Sequence, residues 1–265
     1  MIRRSRLPLG CVALGGALLL AGAAVAKPSA LSLMRRSEKW HEIPAERVVG
    51  AMILQKKGGA QKVRKLMMTT VQNDKTGDRS LIRFLAPANI KGTAMLSVED
   101  KKAGRDDQWL YLPAFRRTRR IGAAELGDRF VGSDFFYEDM KARDVDDYRY
   151  RHLREQTVDG ARCYVIECVP KKPKVKKESP YGKSHIWLDK STLMPVRLRH
   201  FDRRMRPLKE IRFTQRKRIV KKAWRADRAT VIDVQRKHRT VLLLKKRTTK
   251  LRLPPGFFSS HRLGK

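Results

Sequence analysis

The stretch MPVRLRHFD, residues 194–202, decides the fold. In it the apolar residues Val196 and Leu198 alternate with Arg197 and Arg199. Alternation with a period of two residues is typical of a strand that has one face on a core and the other in water. The stretch therefore predicts a one-layer sheet with a dry face and a cationic face.

Short runs rich in β-forming residues recur along most of the chain. Val48–Gln55, Lys62–Gln72 and Ser80–Ala86 are three of them, and connections containing Gly, Asn or Asp separate them. Further runs continue to the C-terminal region without long helical repeats between them. We expect a mainly β, antiparallel meander that curls into a sandwich, a barrel or a half-barrel.

Two segments are candidates for helices that could pack in the concavity of such a sheet. Ser37–Arg47 is short and is interrupted by Pro44. Ser133–Leu153 has apolar residues at roughly helical spacing, with a break near Asp144. The lysine- and proline-rich stretch at residues 170–177 is instead typical of an exposed loop.

The N-terminus resembles an export signal. Three arginines precede an uncharged run, Leu7–Ala26, which ends in Ala-Val-Ala. This layout is typical of a secretory signal peptide, with a retained membrane anchor as the alternative. We assign residues 1–26 to the signal, 27–47 to an N-terminal segment that is a candidate for a helix, and 48–265 to the main domain. The exported chain is expected outside the cytoplasm.

The charge balance predicts a polyanionic partner. The chain has 62 Lys and Arg against 26 Asp and Glu, a formal net charge of +36. Nucleic acid is the usual partner of such a protein, but export lowers that expectation. We therefore expect an anionic membrane surface or an acidic polymer as the partner. For any single arginine on an alternating strand, a solvated outer face is the favoured interpretation.

Cys163 and Cys168 are predicted to be small buried or half-buried residues. Five residues along a strand span about 16 Å, which is too far for a disulfide. Their odd spacing also places them on opposite faces of a strand.

The motifs of common catalytic and cofactor sites are missing from the sequence. It contains no His-x-x-x-His or Cys-x-x-Cys pair, no P-loop and no Gly-x-Gly-x-x-Gly. We expect no metal, no cofactor and no catalytic residue.

The stretch RFVGSDFFYEDM, residues 129–140, is acidic within a basic protein. Its carboxylates, Asp134, Glu138 and Asp139, could form structural ion pairs, a head-group site, or the paired acids of a glycoside hydrolase. The basic stretch FRRTRR lies shortly upstream at residues 115–120. We favour charge-assisted pairs that latch the acidic segment to the sheet. The predicted partners are Arg116, Arg117, Arg119 and Arg120.

Several pieces of the chain resemble, in the same order, the bacterial outer membrane lipoprotein-sorting proteins, a LolA-like periplasmic group. They include IRFLAPANIKGTAML, DQWLYLPAFRRTRRI, RFVGSDFFYEDM and YGKSHIWLDKSTLMPVRLRHFD. The resemblance covers about residues 48–263. It implies an unclosed antiparallel β-barrel with short helices over a hydrophobic concave face. It also implies a non-enzymatic carrier of lipid or lipoprotein acyl chains, working with an RND-type transporter or another inner-membrane partner.

Carrying acyl chains needs an adaptable apolar lining, which methionine supplies well. Strand parity and residue type predict ten lining residues, and ordinary core packing is the alternative for each. They are Met52, Met67, Phe84, Trp109, Tyr111, Phe135, Phe136, Trp187, Leu198 and Phe213. A scaffold protein that binds anionic lipid or polymer through its basic surface is the alternative function.

Overall fold

The computed structural model describes residues 27–56, 59–73, 75–102 and 104–265. The predicted signal peptide, residues 1–26, lies outside the described residues.

The described residues form one 13-stranded antiparallel sheet. Its strands are β1 (Ala45–Lys56), β2 (Gln61–Val71), β3 (Arg79–Ala86), β4 (Ala94–Asp100), β5 (Arg105–Leu112), β6 (Arg117–Arg120), β7 (Tyr148–Val158), β8 (Ala161–Pro170), β9 (Tyr181–Asp189), β10 (Pro195–Asp202), β11 (Pro207–Val220), β12 (Ala223–Asp233) and β13 (His238–Thr248). The order across the sheet is β6-β5-β4-β3-β2-β1-β13-β12-β11-β10-β9-β8-β7. The sheet is not closed, because β6 and β7 form its two edges. The predicted mainly β fold with an unclosed antiparallel barrel is confirmed.

Two meanders make up the sheet, and they join where β1 pairs with β13. The register of this pairing shifts between Val49 and Gly50. A Cβ atom on Gly50 would collide with the backbone carbonyl of Leu243 on β13. Glycine therefore permits the close approach of the two strands at this irregularity.

Helix α1 (Ala30–Trp40) lies earlier in the chain than predicted. The Ser29 side chain accepts a hydrogen bond from the N–H of Ser32 and so caps its first turn. The predicted helix at Ser37–Arg47 is wrong in its C-terminal half, because α1 ends at Trp40 and β1 begins at Ala45.

The helix predicted at Ser133–Leu153 is not formed. The segment folds into short 3-10 turns, Tyr137–Met140 and Val145–Asp147, and then enters β7 at Tyr148. The Asp144 side chain accepts the N–H of Asp146 and starts the second turn, so the chain changes direction at the predicted break. The lysine- and proline-rich stretch, predicted to be a loop, contains the short helix α2 (Pro173–Glu178).

The largest hydrophobic cluster defines what we call the inner face of the sheet. It contains Met52, Leu66, Phe84, Ile211 and Val231. On the β7–β10 side the same face is covered by α1, whose Ala30 and Leu33 pack against Ile166 and Leu188. Within the described part of the chain, no helix is long and apolar enough to cross a membrane.

The opposite, outer face carries the charge that the alternation predicted. Arg197 and Arg199 on β10 and Arg212 on β11 converge on one carboxylate, Glu210. Val196 departs from the simple alternation, because a register irregularity between Pro195 and Arg197 places it in the outer cluster. The outer face is therefore cationic but locally paired.

The C-terminal segment covers another part of the outer face. Phe257, Phe258 and Leu263 pack there against a strip that includes Leu81 and Leu96. This strip of the sheet, on β3 and β4, is therefore buried on both faces.

Cys163 and Cys168 are free and buried, as the sequence predicts. Cys163 lies in the outer cluster, and Cys168 lines a cavity on the inner face. Their separation by the thickness of one strand agrees with the predicted opposite orientation.

Candidate functional site

A cavity of about 950 Å³ lies between the inner face and the segment that connects β6 to β7. Its volume is within the usual range of small-molecule sites, about 300–1,000 Å³. The walls are apolar over much of their length, and they include Met68, Ile82, Leu198, Phe213, Ala229 and Leu242. Charged side chains lie at its rim, among them Asp106, Lys172 and Lys174.

Residues 129–147, which we call the cover segment, close one side of this cavity. Phe135 lines the cavity and also joins the inner core cluster, together with Phe130 and Tyr137. The ring centroids of Phe130 and Phe84 are 5.7 Å apart. The cover segment is thus anchored by aromatic packing against the sheet.

Asp134 attaches the cover segment to β13. Its carboxylate accepts hydrogen bonds from Thr240 Oγ1 and from His238 Nδ1, each at 2.6 Å. Its own N–H donates to Thr240 Oγ1 at 3.0 Å. Arg129 adds an ion pair to Asp134 and a second one, at 2.6 Å, to Asp233 on β12. The Asp134 side chain is only 1% exposed, so these partners replace the water that it loses.

Asp139 forms a second attachment, to β11 and β9. Its carboxylate contacts Lys209 Nζ at 2.5 Å and accepts hydrogen bonds from Tyr181 Oη and the Phe136 N–H, both at 2.7 Å. Lys209 Nζ also lies 3.7 Å from the ring centroid of Phe136 and donates to the Asp134 carbonyl. A lysine that is 1% exposed is thereby surrounded by acceptors.

Burial alone would raise the pKa of Asp139, but the charge of Lys209 and its hydrogen bonds outweigh burial and hold that pKa below its ordinary value. Burial also lowers the pKa of the Lys209 amine, against the attraction of Asp139. We treat Lys209 as charged, because carboxylate, carbonyl and ring face all favour the cation. The pair is a buried salt bridge.

His200 on β10 lies beside this pair. Its ring stacks on Tyr181 with centroids 4.2 Å apart, and its Nδ1 shares a hydrogen bond of 2.7 Å with Ser184 Oγ. Burial lowers the pKa of His200 to about 3, even though Asp139 acts in the opposite direction. The imidazole is therefore neutral at neutral pH.

The predicted arginine latch has different partners from those expected. Arg119 pairs with Glu125, and Arg120 pairs with Asp107 on the neighbouring strand. The structure gives Arg116 and Arg117 no ion pair among the residues that it describes, and both are exposed. The arginines of β6 do not pair with the predicted acids, because β6 is an edge strand with every residue exposed.

Asp134 and Asp139 do hold the cover segment, but through β9, β11 and β13 rather than through residues 115–120. Glu138, the third predicted latch acid, lies 3.9 Å from Lys141 within the cover segment itself. Burial raises its pKa. Among the described contacts, Glu138 forms no hydrogen bond or ion pair to β9, β11 or β13.

Thr240→Val is expected to lower the free energy of unfolding by about 1–3 kcal/mol, because it leaves the buried Asp134 short of two hydrogen bonds without changing side-chain volume. Urea unfolding measures the change. Arg117→Ala is the control and should stay within about 0.5 kcal/mol, as expected of an exposed residue. The reverse order of effects would restore the arginine latch and contradict the assignment.

The structure places the ten predicted lining residues in several regions. Phe135, Leu198 and Phe213 line the cavity. Met52 and Phe84 lie in the inner core cluster beside it. Phe136 is buried against Lys209 and stacks on Tyr181 instead.

The other four predicted lining residues were assigned to the wrong face of the sheet. Trp109 and Tyr111 pack with the C-terminal segment, because Gln108 and Leu110 are the residues of β5 that face inward. Trp187 lies in the outer cluster with Val165 and Val196. Met67 lies between Leu66 and Met68, which both face inward. Alternation alone cannot tell the two faces apart when both are partly buried.

Four residues that shape the site were missed by sequence reasoning. Lys209, His238 and Thr240 hold the cover segment, and Arg143 projects from it along the cavity wall. His238 and Thr240 are two positions apart on one strand face, which is a weak signal. Their partner Asp134 is more than 100 residues away in sequence.

Comparison with known proteins identifies the family. A protein-family model with the description "uncharacterized protein" matches residues 76–265. A solved domain described as an outer membrane lipoprotein-sorting protein, from Vibrio parahaemolyticus, is 28% identical, with a TM-score of 0.82 and coverage of 89% of this chain and 98% of that one. The chain belongs to a LolA-like family.

Two further structures agree with the LolA-like assignment. A DUF1329 family protein from Desulfovibrio piger is 28% identical, with a TM-score of 0.82 and coverage of 88% of this chain and 97% of that one. A LolA superfamily protein from Nitrosomonas europaea is 20% identical, with a TM-score of 0.69 and coverage of 88% and 98%, and it shares the fold. A comparison with curated proteins gives no match for this LolA-like chain.

Proposed function

We propose that this protein is a periplasmic carrier that binds lipid or lipoprotein acyl chains non-covalently in the cavity on the inner face. One observation carries the proposal: an apolar-walled cavity of about 950 Å³ lies under a separately attached cover segment. The likeness to an outer membrane lipoprotein-sorting protein supports it.

The lining suits reversible binding of a flexible chain. Burial of an acyl chain is favourable by about 0.8 kcal/mol per CH₂ group. Met68, Met140 and Met194 line the cavity, and unbranched thioether side chains adapt to ligands of varied shape. Such a wall can hold a chain without requiring one exact length.

Two of the carboxylates that could serve in hydrolysis form structural contacts instead. Asp134 and Asp139 are held by Thr240, His238 and Lys209. Neither is therefore free to act as the acid or nucleophile of a glycosidase. Their arrangement favours a binding protein that performs no reaction.

The outer face supports a role for membranes in loading or release. With a formal charge of +36, the protein is attracted to anionic lipid surfaces even where single arginines are paired. We infer that the cationic outer face approaches an anionic membrane, and that an RND-type transporter or another inner-membrane protein supplies or accepts the cargo. A scaffold that acts only through this charge is the second candidate.

Filling the cavity tests the carrier function. Ala229→Trp places a large ring in the cavity and is expected to lower uptake of a fluorescent fatty acid at least about tenfold, since the ring removes space that the chain occupies. Ala123→Trp, on an exposed turn, is the control and should bind normally.

Circular dichroism of both variants shows whether they are folded, and Ala229→Leu should bind with intermediate affinity. Native mass spectrometry of the envelope-purified protein gives an independent result. Lipid-free protein that also takes up no fatty acid would overturn the carrier function and favour the scaffold.

A further inference from the structure

Arg143 brings a positive charge to the wall of the cavity. It follows the turn Tyr137–Met140 in the cover segment, is exposed, and lines the cavity together with Leu198 and Phe213. A guanidinium carries five N–H donors and stays charged at every accessible pH. A permanent positive charge beside an apolar chamber attracts anions.

The contacts of Arg143 inside the protein are with neutral groups. Its Nη2 lies 2.8 Å from Cys168 Sγ, and its Cζ lies 4.0 Å from the ring centroid of Tyr148. Burial raises the pKa of the Cys168 thiol and raises the pKa of Tyr148 to about 12. Neither group supplies a negative charge at neutral pH.

The neighbouring carboxylates are shared with other bases. Lys141 lies 3.1 Å from Asp106 and 3.9 Å from Glu138, and Lys172 pairs with Asp147. In the part of the chain that the structure describes, no carboxylate lies within ion-pair distance of Arg143, and, against the effect of burial, Glu138 raises the pKa of Arg143 only from further away. The donors of Arg143 that are not bonded to Cys168 Sγ are therefore available to a group within the cavity.

We propose that Arg143 is the head-group site of this cavity and receives the anionic end, a carboxylate or a phosphate, of a single amphiphile. The inference rests on the proposed carrier function and specifies the ligand class. The anion accepts two hydrogen bonds from the planar guanidinium, as paired oxygens commonly do. The acyl chain then extends along Leu198, Phe213 and Leu242, away from the charge.

This arrangement favours ligands that have an anionic head group. A neutral lipid with the same chain gains the same apolar burial, but it leaves the guanidinium without an anion. The cavity therefore favours an acid over the matched alcohol.

The test compares oleate, oleyl alcohol and oleoyl lysophosphatidate as competitors of a neutral fluorescent lipid. Arg143→Gln is expected to weaken oleate, lysophosphatidate or both at least about tenfold, the scale of one charge-assisted hydrogen bond. Oleyl alcohol should change less than about twofold. The anion that loses more affinity identifies the head group. Arg143→Lys, which keeps the charge and loses the planar fork, should fall between.

Arg117→Gln is the matched control, because it removes one guanidinium from the exposed edge strand β6, whose residues do not line this cavity. It should leave the affinity for oleate within about twofold.

Arg143→Gln could lower the affinities for oleate and oleyl alcohol equally, or lower the affinity for no ligand. Either result would overturn the head-group site and leave the carrier function unaffected. Displacement by acetate or inorganic phosphate alone would also overturn it, since the site would then hold only a free ion. If the unchanged protein binds no oleyl ligand, the carrier function fails with it.

Discussion

Asp139→Asn is expected to lower the free energy of unfolding by about 3–5 kcal/mol. The substitution keeps the shape of the side chain but removes the negative charge beside Lys209, whose ammonium is 1% exposed. A buried cation without its counter-charge must either stay desolvated or lose its proton, and both are unfavourable. Urea unfolding at pH 7 measures the loss.

A second substitution separates the charge from the packing. Lys209→Met in the Asp139→Asn background should recover part of the lost stability, because it removes the unpaired ammonium and keeps an unbranched chain against Phe136. Asp146→Asn is the control, since its pair with Arg35 is more than half exposed on both sides and should change stability by less than about 1 kcal/mol. If the double variant is as unstable as the sum of the two single variants, the buried pair is not what Asp139 contributes.

Acidification from pH 7 to pH 5 is expected to remove about 2 kcal/mol of stability through His200 alone. Burial lowers the pKa of this imidazole to about 3 in the folded protein, against 6.5 in the unfolded chain. Below pH 6.5 the imidazole of His200 is protonated in the unfolded chain, whereas it stays neutral in the folded protein. Stability therefore falls as the pH decreases from about 6.5 toward 3.

His200→Gln tests this contribution, because glutamine can hydrogen-bond to Ser184 and does not titrate. The difference in unfolding free energy between the two proteins should be constant from pH 7 to pH 8 and should shrink by about 2 kcal/mol at pH 5. Burial also lowers the pKa of His41 and His185, so the comparison with the variant isolates the part due to His200. Parallel stability curves down to pH 5 would contradict a neutral buried His200.

The sequence predicts the strands well, because a period of two residues is a local property. Ile211 and Phe213 face inward and Arg212 faces outward, as their alternation indicates. Alternation does not predict which apolar face meets the cavity, since the C-terminal segment covers Trp109 and Tyr111 on the outer side. The location of the lining therefore depends on tertiary structure.

The candidate site was less predictable than the fold. The composition of residues 129–140 predicted a structural role for Asp134 and Asp139, but charge alone does not choose among many bases. The arginines at 115–120 are near in sequence and lie on an edge strand, whereas Lys209 and His238 are distant in sequence and lie in the sheet beneath the cover segment. Which base meets which acid was decided by the pairing of strands.

The pairing of β1 with β13 also sets the order in which the protein can fold. All other neighbouring strands in the sheet follow one another directly along the described chain, whereas β13 is made almost 200 residues after β1. As the chain emerges from its N-terminal end, β1 to β6 can assemble first, but β1 keeps an unpaired edge until the last strand arrives. A chain that stops before β13 would retain that edge and could pair with other chains. The half-finished protein, rather than the complete one, is the form most in need of protection from aggregation.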